Sequence, residues 1–109
     1  MRKGFFQFSN NLQTNYWTVG TATHNGGTKS LYITDNGQAN QYTITSASTV
    51  AAFRDFTIPA NASEINIQFD FKGMGDGAAD RMRVWLVPTT FVPVQGTAIS
   101  VGNSGGMQL

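Results

Sequence analysis

The sequence predicts an all-β chain, an antiparallel sandwich of short strands, and three observations carry that prediction. First, residues 64–72 alternate strictly: Ile65, Ile67, Phe69 and Phe71 take one side, and Asn66, Gln68, Asp70 and Lys72 take the other. A period of two belongs to a strand with one apolar face, since a helix would scatter the same four residues around its circumference. Second, thirteen Thr and twelve Gly stand against four Leu and a single Glu, Glu64. Thr favours pleated, half-buried surfaces and Gly favours turns, so the balance opposes helices. Third, Gly26-Gly27 and Asn36-Gly37 separate the strand-like runs, and both pairs reach positive φ at low cost.

The remaining elements follow in order. Residues 16–19, 30–34 and 50–58 read as strands, the last closed by Pro59. Residues 80–87 form the next, with Met82, Val84 and Leu86 on one face and Arg81, Arg83, Trp85 and Val87 on the other. Pro88 ends it, because proline cannot donate to an inner ladder. The glycine-rich connection 73–79 is short enough to join antiparallel neighbours. A weaker strand is expected over 97–101. Five or six strands without a helix argue for a sandwich or jelly roll. The 109 residues make one domain over 1–101, followed by a flexible Gly/Ser-rich tail over 102–109.

Composition excludes several function classes. A formal charge of +1 provides no basic patch for nucleic acid or an anionic membrane surface. No run approaches the roughly 20 apolar residues of a membrane helix. The absence of cysteine removes thiol catalysis, disulfides and thiolate metal sites. His24, the only histidine, has no companion for a transition-metal site. Solubility rests on 36 Ser, Thr, Asn and Gln residues rather than on charge, which is 12% of the chain. That balance is common in exported β domains, and a secreted or cell-surface location is expected. The opening Met1-Arg2-Lys3-Gly4-Phe5-Phe6 is similar to an export signal, but Gln7, Ser9, Asn10 and Asn11 interrupt its apolar core.

The order of motifs resembles a known family. Tyr16-Trp17-Thr18-Val19-Gly20-Thr21-Ala22-Thr23 is followed by Asn25-Gly26-Gly27-Thr28-Lys29-Ser30-Leu31-Tyr32-Ile33-Thr34. Then come Val50-Ala51-Ala52-Phe53-Arg54-Asp55-Phe56, Phe69-Asp70-Phe71-Lys72-Gly73-Met74-Gly75, and Asp80-Arg81-Met82-Arg83-Val84-Trp85-Leu86-Val87-Pro88. This set resembles the MAM-like jelly-roll modules of choice-of-anchor J or cleaved-adhesin type found in surface and secreted proteins of Bacteroidetes-type bacteria. The resemblance implies a jelly-roll-like sandwich in an adhesin. Two features depart from the pattern: Phe6 is followed by Gln7 where such modules carry Phe-Glu, and they continue beyond the equivalent of Leu109 into an Asp-Asn-Ile or Asp-Asp-Ile segment. The expectation is therefore an incomplete sandwich whose unpaired edge invites self-association or docking on another chain.

Two candidate sites emerge. Asp70, Asp76 and Asp80 flank the glycine-rich connection, and calcium requires six to eight oxygens that carboxylates and backbone carbonyls can supply. Related jelly rolls often hold a structural calcium, although the family-type site draws on an N-terminal Glu and a C-terminal Asp that this chain lacks. The competing reading is a solvated turn in which Asp80 pairs with Arg81 or Arg83. The second site is aromatic. Trp85 shares a strand face with Arg83, Tyr32 lies opposite Leu31 and Ile33, and Tyr42 adjoins the amide-rich Gln38-Ala39-Asn40-Gln41. Sugar rings stack their C–H faces on such side chains while amides and carboxylates bond the hydroxyls. The competing reading places Trp85 in the core, and Val87 on the same face favours it. No nucleophile-elbow motif accompanies the seven serines and His24, and Glu64 has no evident cleft for glycoside cleavage. The expected function is non-catalytic binding or adhesion, with a glycan or cell-surface protein as partner. The alternative is a spacer or assembly domain without a small ligand.

Overall fold

The computed structural model describes residues 6–9, 13–75 and 77–109. Among these residues six short strands and one turn of helix run in the order β1 (Gln7–Ser9), β2 (Tyr16–Gly20), β3 (Ser30–Thr34), β4 (Ala51–Phe53), β5 (Trp85–Leu86), α1 (Val101–Ser104) and β6 (Met107–Gln108). The strands join in three antiparallel pairs, β1 with β4, β2 with β3 and β5 with β6. Among the described residues the chain is thus β-rich, with small antiparallel sheets and no barrel. Among the described residues no sheet exceeds two strands.

The β2–β3 hairpin is the best-formed unit, with five paired positions running from Tyr16 opposite Thr34 to Gly20 opposite Ser30. Its connecting loop uses Gly26 and Gly27 at φ 66° and 60°, as their sequence predicts. One face carries Tyr16, Thr18, Gly20, Ser30, Tyr32 and Thr34, and the other carries Trp17, Val19, Leu31 and Ile33. The deeper burial lies on the first face. Tyr32 is 6% exposed and Thr34 fully buried, while Leu31 and Ile33 are half-buried and Val19 is exposed. The sequence reading placed Tyr32 outward, and the structure reverses it. Gly20 supplies the reason: a Cβ there would overlap the Tyr32 hydroxyl and sit 3.2 Å from its Cζ. The missing side chain admits the ring, and the Tyr32 hydroxyl donates to the Gln38 carbonyl at 2.7 Å, so its polar end is satisfied.

Three further contacts tie the ribbons together. The Arg54 guanidinium lies 5.8 Å from the centre of the Phe6 ring, bridging the ends of β4 and β1. Asn15 is buried beside Thr43 and Ser46. Its Nδ2 donates to the carbonyls of Thr43 and Ser46 at 3.1 and 3.0 Å, its Oδ1 accepts from the Thr43 N–H at 2.7 Å, and its own N–H donates to Ser48 Oγ at 3.1 Å. At the C-terminal end the Leu109 N–H donates to the Val84 carbonyl at 2.9 Å, extending the β5–β6 pairing.

Several expected elements are shorter or different. The strand over 80–87 contracts to Trp85–Leu86, because its ladder extends only as far as its two-residue partner. The strand over 50–58 contracts to Ala51–Phe53. The strand expected over 97–101 gives way to a turn and the start of α1. Ser100 Oγ accepts from the Asn103 N–H, and Asn103 Oδ1 accepts from the Ser100 N–H, a reciprocal cap that favours helix. Gly105 at φ 69° closes that turn. Residues 102–109, expected as a flexible tail, hold α1 and β6. Residues 64–72 form no ladder, and all of them are exposed. Their alternation equips them for pairing, but an extended segment is stable only when a second backbone satisfies its N–H and C=O groups.

Replacing Asn15 by Ala removes three side-chain hydrogen bonds and leaves their backbone partners unsatisfied. Urea unfolding should show a loss of about 2–4 kcal/mol, with an unchanged midpoint contradicting the central role given to this amide.

Candidate binding site

The loop following β3 is held at several points by side chains of its own. Thr34 Oγ1 accepts from the N–H groups of Asn36 and Gly37 at 3.3 and 3.1 Å and donates to Asn36 Oδ1 at 3.1 Å. Asn36 Oδ1 also accepts from the N–H groups of Gln38 and Ala39, both at 2.9 Å. Short polar side chains bonding to backbone two and three residues on are the chemistry of Asx and ST turns. Gly37 occupies the left-handed region at φ 81°, and a Cβ there would lie 3.2 Å from the Tyr16 hydroxyl. Farther along, Asp35 accepts from Gln41 Nε2 at 2.7 Å and from Thr43 Oγ1 at 2.9 Å. Asn15 then clamps Thr43 from beneath. With Tyr32 bonded to the Gln38 carbonyl, the loop is fixed from both ends and from below.

Tyr42 is carried on this loop at 37% exposure. Its hydroxyl donates to Asp80 Oδ2 at 3.1 Å across 38 positions of sequence. Asp80 in turn lies against Gly75, where a Cβ would come within 2.5 Å of the same oxygen. Gly75 therefore lets the carboxylate approach. The arrangement presents a half-exposed aromatic ring, a carboxylate at its edge, and the exposed amides of Gln38, Asn40 and Gln41.

The other residues singled out from sequence are placed elsewhere. Tyr32 supports the loop from within the fold and offers no accessible face. Trp85 is half-buried in β5 opposite Gln108. Arg83 is exposed, two positions ahead of Trp85. Of the three aspartates considered for calcium, Asp70 accepts from Asn25 Nδ2 at 2.8 Å and Asp80 from Tyr42, while Asp76 lies outside the described residues. Among the described residues no three acidic or histidine side chains converge. Asn15 and Thr43 were not foreseen. The pattern Asp35-Asn36-Gly37 marks the turn, but nothing near Asn15 announces its partners near position 45. No helix among the described residues is long and apolar enough to cross a membrane.

No family model, curated protein or solved structure matches the chain.

The hydrogen bonds from Gln41 first, and Thr43 second, hold the Asp35 carboxyl below the ordinary aspartate range. A depressed value means that the folded chain favours the ionised form more than the unfolded chain does. The contribution of Asp35 to loop order is therefore complete above about pH 3.9 and is lost as pH falls through the depressed value. An NMR titration following the Gln41 side-chain amide should show this transition below the ordinary aspartate pKa. Asp35→Asn should abolish it, and a titration at the ordinary value would contradict the bonding described.

Proposed function

We propose that this chain is a non-catalytic, extracellular binding module that recognises carbohydrate through the surface around Tyr42 and Asp80. The observation that carries the reading is a half-exposed tyrosine ring tied to a carboxylate on a loop already held by hydrogen bonds. A sugar could stack its C–H face on that ring and bond its hydroxyls to Asp80 and the neighbouring amides. The prior ordering of the loop reduces the entropy lost on binding. Export is supported by the neutral polar composition, and the adhesin setting by the resemblance to choice-of-anchor J modules. Absence of catalysis rests on a single histidine, His24, with no nucleophile motif beside it.

A second reading, assembly without a small ligand, is favoured by one observation. Ile65, Ile67, Phe69 and Phe71 are between 44% and 74% exposed along an unpaired segment. On this reading the sandwich is a property of the assembled form, completed when another strand pairs with this one.

A glycan array probed with the folded domain tests the first reading. Binding to a defined sugar class is expected, unaffected by a calcium chelator. Tyr42→Ala should weaken it by about tenfold or more, equivalent to about 1.4 kcal/mol, with an unchanged circular dichroism spectrum. A blank array from a folded sample removes the carbohydrate reading and leaves the assembly one.

A further inference from the structure

Residues 64–72 form no ladder, yet alternate side chains along them meet. The Phe69 and Phe71 rings lie 6.3 Å apart between centroids and are tilted by 52°. Asn66 Nδ2 donates weakly to Glu64 Oε1 at 3.4 Å. Both contacts join residues i and i+2, which share a face only where backbone alternates as a strand does. Asn25 Nδ2, in the loop between β2 and β3, bonds Asp70 at 2.8 Å and ties the segment to the hairpin. Among the described residues no second strand pairs with it.

We propose that the missing strand is the same segment of a second copy, paired antiparallel about a two-fold axis through Gln68. This inference deepens the assembly reading and is independent of sugar binding. The order of side chains favours this partner. In that register Glu64 faces Lys72 at both ends of the ladder, so each dimer gains two opposite-charge pairs. Ile65 faces Phe71 and Ile67 faces Phe69, placing four aromatic–β-branched pairs on a single face. Asn66 faces Asp70, and Gln68 faces its own copy. Aromatic with β-branched and opposite charges are the favourable cross-strand combinations, and an isologous two-fold contact is closed and self-complementary.

The alternative registers are worse. Sliding by two residues in one direction sets Glu64 against Asp70, a like-charge pair. Sliding in the other direction leaves Glu64 without a partner and puts Lys72 against Asn66. Parallel pairing in register places Glu64 on Glu64 and Lys72 on Lys72. A slip of one residue puts the apolar set opposite the polar set. Only the Gln68-centred antiparallel register satisfies both the apolar face and the charges.

Charge exchange tests this directly, because both end residues are exposed and their replacement does not threaten folding. Sedimentation velocity over a concentration series should show a reversible dimer of the natural chain. Glu64→Lys or Lys72→Glu alone sets like charges opposite each other twice per dimer and should weaken association by about tenfold. The double exchange Glu64→Lys with Lys72→Glu should restore it. Ile67→Asp with Phe69→Asp should leave a folded monomer. Carbodiimide coupling of the natural dimer, followed by peptide mass analysis, should yield an intermolecular Glu64–Lys72 amide. A strict monomer up to the solubility limit overturns the proposal, and removes self-association from the assembly reading as well. A dimer indifferent to all these replacements also overturns it, but leaves assembly standing on another surface.

Discussion

The buried amide of Asn15 is the constraint on which the described structure depends most. It satisfies two carbonyls and one N–H of residues 43 and 46 from a position immediately before β2. A chain with so little apolar burial needs such a tie, since Tyr32, 6% exposed, and Pro93 are its only buried apolar residues among the described residues. Where hydrophobic area is scarce, a satisfied polar network specifies the path of a loop by directional bonds, at the risk that one missing partner leaves a costly buried group. The same logic runs through Thr34, Asn36 and Asp35, each of which substitutes a side-chain oxygen for a backbone ladder.

This network connects the fold to the site. Tyr32 enters the space left by Gly20 and supports the Gln38 carbonyl. Asp35 gathers Gln41 and Thr43, and Asn15 holds Thr43 from below. Tyr42 is consequently presented outward from a loop that has already lost much of its freedom. Its bond to Asp80 brings in a residue from a distant part of the chain. The Asp80 carboxylate therefore serves the aromatic surface through Tyr42, while Asp70 holds the hairpin loop through Asn25. Two carboxylates that sequence grouped together for an ion take different partners in space.

The unpaired segment 64–72 shows the other side of a scarce core. Four large apolar side chains remain in contact with water, which costs free energy that pairing and packing could recover. In the proposed pairing, Glu64 and Lys72 at its two ends set the register. Many natural edges are blunted by lysine or proline in the middle of the strand. Here the middle is occupied by Gln68, Glu64 and Lys72 sit at the two ends, and the one charge between them, Asp70, is held by Asn25.

What sequence alone determined was local: the preference for strands over helices, the turns at Gly26-Gly27 and Asn36-Gly37, and the two-sided character of residues 64–72. Each of these rests on backbone conformational preference or on periodicity, and both are properties of neighbouring residues. The strand segments that became β2 and β3 were legible for the same reason, though not their pairing, and so was Tyr42 beside its amide-rich loop. Tertiary structure alone decided which face of β3 is buried, because that depended on the space at Gly20 ten residues and a loop away. It also decided that Tyr42 meets Asp80, that Asn15 meets Thr43 and Ser46, and that the glycine-rich end folds into a capped turn and a strand against Trp85–Leu86. Strand length belongs to the same class, since a ladder extends only as far as its partner. Contacts of this kind join positions tens of residues apart, and no local preference encodes which distant oxygen a given amide will find.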